Sequence, residues 1–342
     1  MILIPKYRLG SPPELTVSTP GIGLRGEFKF TMRDLMGRVV METDWEPNLI
    51  TDRGLDMYSW YYQDVTLGIQ PRNLMYSCDL GDGVTPVSPS DTQLANKTGY
   101  ASANWLSSPD TGYYAGAPNY EKGYEVDYRS PAGVATGWIR EIGCHPASDI
   151  NLFTRSLVSV PFEKGVDHIL DVSYRVWGYP EPNDHIGTVT LDGEVFDTIV
   201  RWASVGQATA AGNVASWCRP FTSLSGYYGA GDCTLAQFGD WTTSPSVTYG
   251  APNAYWGYRY TNYGYQDAYT PGQHYMLQTY VASIDRIAYP EGTGNMTYAY
   301  FPAWMYRVKT FFSSQVDGAG VPKDNTNELI LHYKQTWGRY TP

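Results

Sequence analysis

The segment VPFEKGVDHILDVSYRVWGYP over 160–180 recurs in outline as VPKDNTNELILHYKQTWGRYTP over 321–342. Pro161 answers to Pro322 and Trp177 to Trp337, offsets of 161 and 160 residues. A long recurrence of this kind constrains a fold more than any composition, because each copy must supply the same supersecondary unit. Other landmarks keep the same order. Trp105 followed by SSP and by GAPN over 116–119 is echoed by Trp241, TTSP and GAPN over 250–253. Asp91 in SDTQLAN matches Asp232 in GDCTLAQ, and GEFKFTMRDLMGRVVMETDW from Gly26 resembles GTVTLDGEVFDTIVRWASVG from Gly187 in strand–turn–strand pattern. The reading is of two tandem copies, 26–180 and 187–342, joined by a link over 181–186 and preceded by an extended N-terminal arm over 1–25.

Each copy reads as β-structure. Charged residues make up 17% of the 342-residue chain, beside 35 Gly and 23 Pro, so long charge-laced helices are scarce and turns must be frequent. Residues 28–32 and 39–43 alternate apolar and polar about a turn at 35–38, the pattern of a hairpin. LITDRGLDMYSWYY over 49–62 predicts a short helix, capped by Thr51 or Asp52, with Leu55, Tyr58 and Tyr62 at helical spacing. SPSDTQL over 88–94 predicts one further helical turn, since Asp91 stands three residues after Ser88 as in a capping box. Strands follow over 137–142, 153–158 and 168–177, the last alternating sides residue by residue. The expected fold is all-β with a few short helices, packed as two antiparallel β-sandwich-like domains related by internal duplication.

The arm contains Pro5, Pro12, Pro13 and Pro20 and lacks apolar periodicity, so it is expected to lie extended on a neighbouring surface. Its start lacks a long apolar stretch followed by a small-residue cleavage site, and no secretory signal is expected. A net charge of −10, with no basic run, argues against nucleic acid as a partner. No apolar stretch approaches a transmembrane helix, and membrane insertion is not expected. Cys78, Cys144, Cys218 and Cys233 are far apart and read as buried free thiols.

No catalytic, cofactor-binding or metal-binding residue stands out. The five histidines, among them His145 and His168, form no metal or triad pattern. DLGDGVT over 79–85 lacks the ligand spacing of a calcium loop and reads as a tight turn. Carboxylate pairs for glycoside hydrolysis are set by space, so sequence leaves them open. The candidate recognition residues are aromatic: Tyr113, Tyr114, Tyr120 and Tyr124 with Tyr128 in the first copy, and Tyr255, Trp256, Tyr258, Tyr260, Tyr263 and Tyr265 with Tyr269 in the second. Tyr and Trp offer large contact area with few torsions to freeze, which suits an interface. Folded over their own domain, the same rings serve as local core.

EPNLITDRGLD over 46–56, followed by LGDGVTPVSPSDTQLA over 80–95, resembles structural proteins of tailed-bacteriophage virions, with WIREIGCHP and HILDVSYRVW similar to that family's closing strands. The resemblance implies a non-enzymatic, cofactor-free tail component, such as a baseplate, tail-tip, collar or fibre-attachment protein, assembled in the bacterial host cytoplasm into the virion. It implies a homo-oligomer among other virion proteins. The alternative is a receptor-binding module that takes host surface glycan through its Tyr- and Trp-rich loops.

Overall fold

A computed structural model describes residues 14–18, 21–57, 75–103, 122–146, 151–181, 184–191, 193–205, 233–236, 259–260, 264–266, 270–282, 295–296, 298–303, 306–322 and 329–340. The chain opens with β1 (Glu14–Ser18), β2 (Ile22–Arg33), β3 (Val39–Glu42) and β4 (Glu46–Ile50), then the one-and-a-half-turn helix α1 (Asp52–Met57). There follow β5 (Ser77–Gly81), β6 (Lys97–Ala103), β7 (Lys122–Ser130), β8 (Gly137–His145), β9 (Thr154–Lys164) and β10 (Ile169–Pro180). The second half adds β11 (His185–Leu191), β12 (Glu194–Val205), β13 (Cys233–Ala236), β14 (Arg259–Tyr260), β15 (Gly264–Gln266) and β16 (Tyr275–Ala282). It ends with β17 (Asn295–Met296), β18 (Tyr298–Ala303), β19 (Tyr306–Ser314), β20 (Val321–Pro322) and β21 (Leu329–Arg339). The protein is all-β, as its sequence predicts.

Strands β10, β7, β6, β5, β8, β9, β4 and β2 hydrogen-bond in that order, and β10 pairs again with β2, so they close into an antiparallel, barrel-like ring. Closure removes the free edges of these strands. Strict alternation in β2 sends Ile22, Leu24, Phe28, Phe30 and Met32 into the interior while the residues between them stay half-exposed. From β10, Leu170, Val172, Tyr174 and Val176 meet them, each fully buried. Gly26 is required where Tyr174 crosses β2, because a Cβ there would stand 2.3 Å from the tyrosine oxygen.

Strand β2 has β10 along one edge and three successive partners along the other: β21 at Ile22–Leu24, β4 at Gly26–Phe28 and β3 at Thr31–Arg33. Through β21 the ring continues into β16 and β15, so the thirteen-stranded sheet draws strands from both sides of the 181–186 link. The described part of the N-terminal arm belongs to the same sheet. Strand β1 runs parallel to β21, Glu14 opposite Ile330, and β2 takes over along that edge with Ile22 opposite Trp337. A second sheet orders β11, β12, β19, β18, β13 and β14, and β17 pairs with β20.

Helix α1 is a consequence of Thr51. Its hydroxyl accepts from the Gly54 N–H at 2.8 Å, the N-cap bond, and donates to the Leu152 carbonyl at 2.7 Å. Gly54 then lies flat on the start of β9, where any Cβ would fall 2.1 Å from the Phe153 oxygen. Residues 58–62 of the expected helix lie outside the described residues. The helical turn expected at Ser88 is not one. Asp91 reaches back to the Ser88 N–H at 2.8 Å as a capping box would, but the segment is a simple turn, because the Pro89 carbonyl is taken by the Asp52 N–H at 2.7 Å.

Candidate functional site

The aromatic candidates divide. Tyr113, Tyr114, Tyr120, Tyr255, Trp256, Tyr258 and Tyr263 lie outside the described residues, as does Tyr269. Tyr124 is in β7 opposite Val176, Tyr260 in β14 opposite Cys233, and Tyr265 in β15 opposite Thr279, so no two of these three pair with each other. Tyr128 is core: it is 1% exposed and its hydroxyl donates to the Met75 carbonyl at 2.9 Å.

The loop that follows β5 is held by a buried polar hub. Glu141 of β8 is fully buried and accepts five hydrogen bonds: Oε1 from the N–H of Gly83 (3.2 Å) and Asn96 (2.7 Å), Oε2 from the N–H of Ala95 (3.0 Å) and from Arg155 Nε (3.0 Å) and Nη2 (2.7 Å). Arg155 of β9, 1% exposed, also donates to Asp91 Oδ2 at 2.6 Å and to the Thr85 carbonyl at 3.0 Å. Burial opposes the guanidinium charge, but Asp91 and Glu141 outweigh it and hold the group above its ordinary value. The loop over 82–96 is thereby fixed to the ring by one ion pair and a set of backbone donors. Two acids do meet here, yet both Glu141 oxygens are occupied and neither faces solvent. The arrangement holds a loop.

The acidic turn resolves in the same way. Asp79 is a buried residue of β5, bonded to His145 Nε2 at 3.0 Å and Lys97 Nζ at 2.9 Å, and Asp82 accepts from Asn96 Nδ2 at 2.6 Å. Among the described residues, no group of three or more His, Cys, Asp or Glu side chains is placed to hold a metal ion. Cys78 and Cys144 are buried free thiols and face each other across β5 and β8, a pairing their separation in sequence conceals. Burial first, and the Cys144 thiol second, push the Cys78 thiol well up.

What the described surface does offer is the β2–β3 hairpin. Leu35 and Met36 at its tip are 64% and 81% exposed, and Val39 and Val40 beside them 50% and 49%. The tip is rigid. Asp34 Oδ1 accepts from the N–H of both Met36 and Arg38 at 2.9 Å, Arg38 Nε donates to Asp34 Oδ2 at 2.7 Å, and Gly37 takes the left-handed turn at φ 82°. The Arg38 N–H, ahead of the guanidinium, holds the Asp34 carboxyl below its usual value. The ladder slips between Met32 and Arg33, whose partners are Met41 and Val39, so Val40 is a bulge. A bulged edge disfavours addition of another strand, which leaves the side chains of this finger as its contact surface. Sequence reading placed the turn here without its exposure, although two large apolar residues in a turn are the signal. No family model, curated protein or solved structure matches the chain.

Proposed function

We propose that this chain is a non-enzymatic structural subunit of a tailed-bacteriophage virion, seated against another protein subunit of the particle by its β2–β3 hairpin. The observation that carries the reading is the rigid apolar tip, Leu35, Met36, Val39 and Val40, held out on a bulged edge. Soluble proteins seldom expose adjacent large apolar side chains without a partner to cover them. The likeness of the segments over 46–56 and 80–95 to phage virion proteins supplies the setting. The hub agrees with a scaffold, since its ionised groups are consumed in fixing a loop. Particles lacking the chain, complemented with wild type or with the double variant Leu35→Ser and Met36→Ser, test the reading. Quantitative mass spectrometry of purified particles should show the variant's copy number reduced at least tenfold while its circular dichroism and melting stay unchanged. Equal incorporation would overturn it.

A further inference from the structure

We infer that His145 is held as an imidazolium that joins Asp79 of β5 to the Pro146 carbonyl at the end of β8, and that the Pro146 contact depends on the ring's second proton. The inference is independent of the proposed virion role. His145 ends β8 with its side chain 3% exposed. Its Nδ1 lies 2.5 Å from the Pro146 carbonyl oxygen, and its Nε2 lies 3.0 Å from Asp79 Oδ1, on a side chain 5% exposed. A carbonyl oxygen only accepts, and an ionised carboxylate only accepts, so both ring nitrogens must donate. A neutral imidazole has one donor. The ring therefore carries two protons and a positive charge, balanced by Asp79.

Two effects compete for the second proton. Lys97 of β6 brings another cation to the same Asp79 oxygen at 2.9 Å, which disfavours a charged ring, as does burial. Lys97 is 36% exposed on its side chain, so solvent screens it, whereas the two ring contacts lie in the dry corner. Loss of the proton sets two lone pairs against each other at one of these contacts. The charge-assisted bond to Asp79 is the stronger, so the contact to the Pro146 carbonyl is the one that opens. Asp79 of β5 meets the ring directly, and Lys97 of β6 meets the same carboxylate oxygen. On β8 itself, Glu141 is engaged by Arg155, and Cys144 pairs with Cys78 on the other face of the strand. The Tyr76 N–H donates to the His145 carbonyl and does not depend on the ring's charge. The doubly protonated ring therefore stabilises the fold, and the Pro146 contact is lost as pH rises and the ring gives up its second proton.

The experiment is imidazole nitrogen NMR of the full chain across neutral pH, with His145 assigned by loss of its signals in His145→Gln. Both nitrogens should resonate together in the imidazolium range at neutral pH, and split into one protonated and one unprotonated signal at higher pH. A split pair at neutral pH would overturn the inference. Urea unfolding of the wild type should show a midpoint that falls across the same pH step, while His145→Gln, which keeps a donor but takes no charge, loses that step. A step of equal size in both proteins would also overturn it, and the wild-type spectrum decides the matter even if the variant does not fold.

Discussion

Trp177 and Trp337 flank a single strand: Trp177 of β10 stands opposite Arg25 on one edge of β2, and Trp337 of β21 stands opposite Ile22 on the other. Both are buried, at 9% and 4% exposure, and both indole N–H groups are bonded, Trp177 to Glu27 Oε2 at 3.0 Å and Trp337 to the Leu55 carbonyl at 2.8 Å. The strands run in opposite senses, β10 antiparallel to β2 and β21 parallel to it. Strand β10 closes the ring, whereas β21 carries the sheet outward to β1 and β16.

The two tryptophans should therefore respond differently to replacement by Phe. Leu55 lies in the last turn of α1, where carbonyls lack a helical partner, and Trp337 supplies one. Trp337→Phe leaves that carbonyl unpaired in a buried site, at a cost of about 1–3 kcal/mol. Glu27 keeps Arg25 on its other oxygen and its side chain is 15% exposed, within reach of solvent, so Trp177→Phe should cost less. Urea denaturation of the two variants gives the comparison, and an equal loss would contradict it.

The hub makes a sharper demand. Glu141→Gln replaces one acceptor oxygen by an NH₂ group that faces only donors, and it leaves Arg155 with Asp91 as its remaining counter-charge. Breaking a buried pair from one side costs about 3–5 kcal/mol, here shared between global stability and release of the 82–96 loop. Gly83→Ala should mimic it in part, because its Cβ would stand 2.3 Å from Glu141 Oε1. Limited proteolysis should cut both variants within that loop under conditions where the wild type stays intact.

How far the sequence reveals this follows from the range of each interaction. The alternation of β2, the hairpin turn and the Thr51 cap are local, and each is visible in a few residues. The Ser88–Asp91 contact is also local and was legible, but the helix it implies is overridden by Asp52 and Arg155, both distant in the chain. Glu141 and Arg155 meet only because β8 and β9 pair in a particular register, with Gly143 opposite Arg155. Pro161 shows the same limit. It stands out as a landmark, yet its place in β9, where the ladder slips between Ile139 and Glu141, comes from that pairing. The recurrence at Trp177 and Trp337 was legible as a pair of landmarks, while the direction and neighbours of the strands that hold them are tertiary properties that no pattern in either segment encodes.

Cys78 and Cys144 should be silent toward alkylation in the native protein. Burial disfavours the reactive thiolate of Cys78, and neither side chain reaches solvent. Peptide mapping after brief iodoacetamide exposure should find both unmodified in buffer and both modified in denaturant. Native modification of either would show that the β5–β8 pair opens readily.

Lys164 gives a prediction in pH. Its side chain, 1% exposed, places Nζ 3.0 Å from the Pro131 carbonyl and 2.8 Å from that of Val134, and burial lowers its affinity for the proton. A lysine whose folded value lies below its unfolded value, near about 10.4, destabilises the native state wherever it must stay charged. That penalty fades as pH climbs from the lowered folded value toward the unfolded one. The neutral amine keeps two N–H groups, enough for both carbonyls, so the relief is not offset by lost hydrogen bonds. Lys164→Met cannot titrate and leaves two carbonyls unpaired, at about 1–3 kcal/mol each. The stability of wild type relative to Lys164→Met should therefore grow with alkaline pH, read from urea midpoints between about pH 8 and about pH 10.5. A difference that stays constant over this window would show that the ammonium bears no burial penalty where it sits.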